Sequence, residues 1–215
     1  MDILKQTPEF FKGKRILTLL AHPDDECLGC GGTIVRALRE GATVQCSIPV
    51  RRLEDECKKA LKTLGIEIVN FGDFDDNQLD KYPLLELTKF FSKDVETFKP
   101  DIVILHHYAC TNQDHRQCYE AGIIVNRFNN ALLLSCEVPS STGYLKPCNF
   151  EPNFYVSILP TDFVQKMFAF ENYTTENRPY PHPRSVEKMR NLTEYRGSQI
   201  NMKYAEAFMV IRQIV

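Results

Sequence analysis

Arg15-Ile16-Leu17-Thr18-Leu19-Leu20-Ala21-His22-Pro23-Asp24-Asp25-Glu26 sets an apolar run of strand length directly against a polar, acidic cluster. Residues 15–21 read as a buried strand, and working outward from them an alternation appears. Residues 33–40 continue as a helix ended by Gly41, 43–49 form a second strand, and 53–64 a charged helix terminated by Gly65. Residues 66–71 are a third strand. Between 82 and 98 the apolar residues Leu84, Leu85, Leu87, Phe90, Phe91, Val95 and Phe98 recur close to helical spacing until Lys99-Pro100 stops the pattern, and 102–105 make a fourth strand. Strand-helix alternation of this kind predicts an α/β, Rossmann-like three-layer fold with a mainly parallel sheet and right-handed crossovers. Beyond a helix at about 115–128 the pattern loosens into short strands at 132–135 and 154–158 and helices at 162–172 and 185–195, read as a C-terminal cap. No repeat or low-complexity linker interrupts the chain, so residues 1–215 are expected to form a single domain.

Composition narrows the function. The chain has 215 residues, 43% apolar and 25% charged, the balance of an ordinary globular protein that needs no disulfides to hold its core. Lys plus Arg is 26 against 28 Asp plus Glu, a net charge of -2, so no strong basic surface draws it to nucleic acid or anionic lipid. The first fourteen residues lack the apolar stretch of a signal peptide, and no later run approaches a membrane span. The eight cysteines are scattered through strand and helix patterns rather than clustered in loops, which favours reduced thiols and a cytoplasmic location. Nothing in the sequence fixes the oligomeric state, and a homo-oligomer stays open.

In doubly wound sheets ligands gather at the carboxyl ends of the strands, where His22 to Glu26 fall. His22 and Asp25, three residues apart in a turn stiffened by Pro23, can reach one ion, and Asp24 is a second carboxylate beside them. After the fourth strand, Asn112-Gln113-Asp114-His115-Arg116 opens a helix and brings His115 to the same rim. Two histidines and a carboxylate with open positions suit a catalytic zinc, and the same set also holds non-haem iron such as Fe2+. Taken singly, each residue has a plainer reading: a histidine near a strand end is usually a hydrogen-bonded structural residue, and a carboxylate in a turn is usually a helix cap. The joint pattern outweighs those readings. Asp114 is expected to cap the following helix or orient a histidine, and His106 and His107 to be structural or to line the pocket. Gly29-Cys30-Gly31-Gly32-Thr33 fails the dinucleotide pattern because Ile34 stands where a third glycine is needed, so the glycines are expected to let the helix approach the metal loop closely. Cys27-x-x-Cys30 has no second pair to complete a four-thiolate site.

The stretch 21–26, with Gly31-Gly32-Thr33 behind it and Asp114-His115-Arg116 later, resembles the LmbE/PIG-L zinc-dependent N-deacetylases. Residues 71–77 are similar to that family's acidic turn after the third strand, and 181–185, Arg196-Gly197 and 205–208 to its C-terminal elements. The resemblance implies a metal-dependent hydrolase that removes an acetyl group from an N-acetylglucosamine-type amine or its conjugate. It implies His22, Asp25 and His115 as metal ligands, Asp24 as general base and Asp114 as an orienting group. At the position three before His115, where the family commonly has a histidine near the oxyanion, this chain has Asn112. The expected substitutes are zinc alone, the Asn112 amide, or His182 held between Pro181 and Pro183, while Arg184 suits a substrate hydroxyl, carboxylate or phosphate. A short connection after the second strand leaves the substrate open. The competing expectations are a deacylase of a non-sugar amide and a sugar- or partner-binding protein that has lost turnover.

Overall fold

The computed structural model describes residues 9–144 and 150–215. The first strand, β1 (Arg15–Leu19), lies between β2 (Thr43–Val50) and β4 (Ile102–Leu105), both parallel to it; β3 (Ile68–Phe74) extends the sheet beyond β2, and β5 (Leu132–Cys136) beyond β4. Then β7 (Ala205–Arg212) pairs antiparallel with β5, and β6 (Phe154–Ser157) antiparallel with β7, giving the order β3-β2-β1-β4-β5-β7-β6. The central strands are apolar on both faces because both are covered. In β4, Ile102 and Ile104 enter one core while Val103 and Leu105 enter the other, the period-2 alternation of a sandwiched strand. On the first face α1 (Asp25–Arg39) packs against α5 (Pro160–Phe170) and α2 (Glu54–Leu64); on the second α3 (Leu84–Phe98) packs against α4 (Gln113–Asn126). The helix α6 (Val186–Ser198) lies against β7. This is the α/β Rossmann-like three-layer fold expected from the alternation.

Several boundaries differ from the sequence reading, each for a local reason. α1 begins at Asp25, eight residues before the expected start, because the helix runs on both sides of a kink at Cys30 (φ -152°, ψ 15°) that breaks the periodicity. The glycines beside that kink admit other partners than the metal loop. A Cβ on Gly32 would lie 2.5 Å from Ile158 Cδ1, and one on Gly29 2.8 Å from Cys136 Sγ, so they let α1 sit against β5 and the chain following β6. β3 runs three residues further than expected, since it borders only β2 and its half-exposed residues carry no clear apolar run. The C-terminal segment is more than a cap, because β7 and β6 complete the sheet itself. α4 is capped by Asn112, whose Oδ1 accepts from the N–H groups of Asp114 and His115, rather than by Asp114. No helix of the described residues is long and apolar enough to cross a membrane.

Candidate active site

The strand order reverses between β1 and β4, and the segments leaving their carboxyl ends form a crevice there. From β1 comes the turn His22 to Asp25, where Asp24 adopts φ 109° and α1 starts on the next residue. From β4 come His106 and, after a loop, Asn112, Asp114 and His115 at the start of α4. His22, Asp25 and His115 each present one ligand atom, all within 4.8 Å of one another. Asp25 and His115 are about 1% exposed, so an ion held there would be largely shielded from solvent.

The surrounding contacts set the state of each group. His22 Nε2 lies 2.9 Å from Asp114 Oδ2, and Asp114 Oδ1 accepts from Leu79 N–H, so Asp114 fixes the His22 ring and is itself anchored. Burial opposes charge on His22, but its bonds to Asp114 and Asp25 raise its pKa to about 10. Burial holds His115 well below the ordinary imidazole range, so it is neutral. Asp25, despite a burial penalty, is held below the carboxylate range by His115, His106 and His22 around it. Asp24 is pushed well above that range by burial and then by the Asp25 charge, with Arg184 pulling the other way. Two buried atoms in this group, Asp25 Oδ1 and His115 Nδ1, have no hydrogen-bond partner. An ionised carboxylate beside a neutral imidazole, each with a buried atom unsatisfied, fits a divalent ion better than a closed hydrogen-bond network.

His106 belongs to this cluster without being one of the three. Its Nε2 accepts from Ala21 N–H at 2.8 Å and its ring stacks on His115 with centroids 3.8 Å apart, so it fixes both the end of β1 and the tilt of His115. His107 turns away against Tyr108 and Phe150.

Above the cluster opens a cleft of about 110 Å³ lined by His22, Asp24, Asn112 and Arg184 together with Arg52, Asp76, Asn77 and Glu176. Arg184 Nη1 donates to Asp24 Oδ2 (2.9 Å) and to Glu176 Oε2 (2.7 Å), while its Nε donates to Ser140 Oγ (3.0 Å). Arg52 bonds Asp76 at 2.9 Å and pairs with the other oxygen of Glu176. The structure therefore brings His22, Asp24, Asp25, Asn112, Asp114, His115 and Arg184 together. It leaves His182 outside: that residue is exposed, and its Nδ1 accepts from Arg184 N–H at 3.1 Å. Sequence reasoning missed Glu176, which lies in an irregular segment with no motif around it, and the part played by Glu26. The Glu26 carboxylate accepts from Asp24 N–H (3.1 Å), Tyr173 O–H (2.6 Å) and the Cys27 thiol, so it pins the left-handed Asp24 backbone from inside the core. Leu53, Asn77 and Ser140 are also non-glycine residues at positive φ beside this cleft, the concentration of backbone strain common at functional sites.

The described cysteines supply no reactive thiol to the site. All seven described ones are free and buried, and burial pushes the Cys27 and Cys30 thiols far above their usual range, so neither is a reactive thiolate. Cys148 lies outside the described residues.

Fold and site together define a Rossmann-type α/β protein with a His/Asp ligand cluster at the topological switch point. A family profile, PIG-L: GlcNAc-PI de-N-acetylase, matches residues 48–125, which include the acidic turn and His115. The "uncharacterized deacetylase YaiS" of Escherichia coli is 26% identical over 75% of this chain and 91% of its own length. The solved N,N'-diacetylchitobiose deacetylase from Pyrococcus horikoshii superposes with a TM-score of 0.76 at 18% identity, covering 98% of this chain and 89% of that one. Another solved structure with this fold, at TM-score 0.77 and 16% identity over 94% of this chain and 98% of its own, is GalB, the 4-carboxy-2-hydroxymuconate hydratase from Pseudomonas putida. The chain is thus similar to the PIG-L/LmbE deacetylases in sequence over part of its length and in fold over nearly all of it.

Proposed function

We propose that this protein is a metal-dependent hydrolase that removes an N-acetyl group from an N-acetylglucosamine-type amino sugar or its conjugate. The observation that carries this reading is the meeting of His22, Asp25 and His115 within 4.8 Å, with Asp24 beside them on the cleft wall. His22, Asp25 and His115 would hold zinc or a similar divalent ion such as Fe2+. When bound, that ion supplies Lewis acidity and lowers the pKa of a coordinated water toward about 7.

The remaining chemistry belongs to side chains. Asp24 needs no place among the ligands, so in its ionised form, which the Arg184 charge favours against burial, its carboxylate accepts the proton of the attacking water and returns it to the amine nitrogen as the C–N bond breaks. Arg184 aims Asp24 into the cleft through its 2.9 Å bond to Oδ2. Asp114 holds His22 in the rotamer that faces Asp25, and His106 does the same for His115 by stacking. Asn112 uses its Oδ1 in the α4 cap, which leaves the amide NH2 as its donor toward a substrate oxygen. The cleft is well below the roughly 300–1,000 Å³ of small-molecule sites. A sugar therefore enters only as Arg52 and Arg184 exchange Glu176 for substrate oxygens, and the alternating guanidinium and carboxylate groups suit hydroxyls.

Metal analysis of the purified protein, followed by a screen for acetate release over a panel of N-acetylated sugars, tests the reading. About one divalent ion per chain and acetate release that a chelator abolishes are expected. A hydratase shares this fold, so stoichiometric metal with no acetate from any sugar or amide would reject the deacetylase reading.

A further inference from the structure

Two guanidinium groups line the cleft, a composition that by itself invites an anionic ligand. Each of them is nevertheless bonded to two carboxylates. Arg52 takes Asp76 and one oxygen of Glu176, and Arg184 takes Asp24 and the other oxygen of Glu176. Glu176, 7% exposed, is the member common to both sets. It is also held from behind. Its N–H and that of Asn177 donate to the Tyr173 carbonyl at 3.1 and 3.0 Å, and Tyr173 is itself fully buried with its O–H on Glu26 at 2.6 Å. A turn anchored in the core in this way keeps the carboxylate at the cleft when its arginine bonds are exchanged.

That carboxylate limits what the arginines can take in its place. A hydroxyl both donates and accepts, so one inserted between a guanidinium and Glu176 leaves every charge hydrogen-bonded. A phosphate dianion or a carboxylate only accepts. It takes the arginine donors away from Glu176 and leaves that buried carboxylate unpaired, with a second anion against it and Asp24 and Asp76 on the same walls.

We propose that Glu176 is a specificity-determining residue: it restricts the cleft to an uncharged, hydroxyl-bearing sugar and rejects one that carries a phosphate or carboxylate there. This rests on the deacetylase reading and adds to it the charge class of the substrate. The two guanidiniums then act as donors to hydroxyls, and the anion affinity that a pair of arginines would otherwise confer is cancelled within the chain.

The test uses zinc-loaded protein and compares N-acetylglucosamine with its 1-phosphate and 6-phosphate, which put the charge at either end of the ring. Acetate release at low ionic strength gives kcat/KM for each. In the wild type, the phosphate directed into the cleft is expected to lower kcat/KM about tenfold or more. Glu176→Gln keeps the shape of the side chain and removes its charge, so the ratio of phosphorylated to neutral sugar should rise about tenfold, and by less as salt is added. Glucose and its two phosphates carry no acetyl group, so calorimetry of their binding reads the same ratio without turnover. Wild-type protein that takes all three N-acetyl sugars equally, or a ratio unmoved in Glu176→Gln, would overturn the role of Glu176, and acetate release in that case would leave the deacetylase reading standing. A binding ratio that shifts in Glu176→Gln with no acetate from any sugar would do the reverse. Absence of both acetate and binding would overturn the two together.

Discussion

Two buried polar clusters sit on the same helix, α1, and differ in one respect. At the kink near Cys30 the helix leaves the Leu28 carbonyl and the Gly32 and Thr33 N–H groups without their usual partners. Glu206 accepts from both N–H groups at 2.9 and 2.7 Å, while Lys166 donates to the Leu28 carbonyl at 3.3 Å and to Glu206 at 2.6 Å. Every charge there is answered. At the helix start, by contrast, Asp25 Oδ1 and His115 Nδ1 are buried with no partner, and Asp24 sits in left-handed backbone. Both clusters are unfavourable to bury, but only in the first are the charges compensated within the chain. Paired charges mark the kink as structure, while at the rim the unpartnered Asp25 and His115 atoms are what the proposed ion would satisfy.

Removing ligands from the incomplete cluster should have the largest functional effect and a small structural one. His22→Ala, Asp25→Ala and His115→Ala should each lower metal occupancy severalfold or more and abolish turnover, with the chain still folded by circular dichroism. Full metal retention in all three, measured by elemental analysis, would erase the contrast. Asp24→Asn sharpens it: metal content should stay at the wild-type level while kcat falls by roughly 10²- to 10⁴-fold, about 3–5 kcal/mol of barrier.

The complete cluster should answer in stability and not in turnover. Glu206→Ala leaves Lys166 buried without its charge partner and two N–H groups unsatisfied, a loss of about 3–5 kcal/mol in denaturant unfolding. Below its lowered transition the variant should keep its metal and a kcat within about twofold of wild type. A variant of normal stability that has lost metal would mean that Glu206 acts on the rim and not on the kink.

The same contrast explains what could be read from the sequence. The order of strands and helices through β4 was legible because apolar runs, terminating glycines and Lys99-Pro100 each act locally. The candidate His/Asp cluster was legible because His22 and Asp25 lie within four residues, with Asp24 between them, and His115 opens a helix after the next central strand. The kink cluster was not, since Glu206 and Lys166 come from distant elements and a buried Lys–Glu pair leaves no short-range pattern. β7 was lost with it: its register against β5 and β6 is set by pairing over long sequence separations. Glu176 and Tyr173 belong to the same class, reaching Arg184 and Glu26 from a segment whose sequence resembles an ordinary loop. The cap of α4 fell on Asn112 and not Asp114 because Asp114 is already held by His22 and Leu79.

Arg184 stands between the two kinds of residue, since it is bonded on three sides yet faces the cleft. Replacing it with alanine frees Asp24 Oδ2 and Glu176 but removes no ligand. Arg184→Ala should therefore raise KM about tenfold or more, with metal content unchanged and a smaller fall in kcat. A pure kcat effect would place Arg184 with Asp24 in the proton transfer.

The smallest effect belongs to His182, and its sign of action differs from that of an acid. The ring is exposed and its Nδ1 receives the Arg184 N–H, so it works on the site only by closing a turn that sets the direction of Arg184. An asparagine can close the same turn, because its side-chain oxygen accepts from the N–H two residues on, whereas alanine has nothing to offer. His182→Ala should raise KM by about two- to fivefold, the scale of one modest hydrogen bond, and His182→Asn should restore it. Neither variant should change kcat or the shape of the pH profile, because neither removes a proton donor from the reaction. If alanine and asparagine both flatten an alkaline limb that the wild type shows, His182 reaches the substrate as an imidazolium and the turn is incidental.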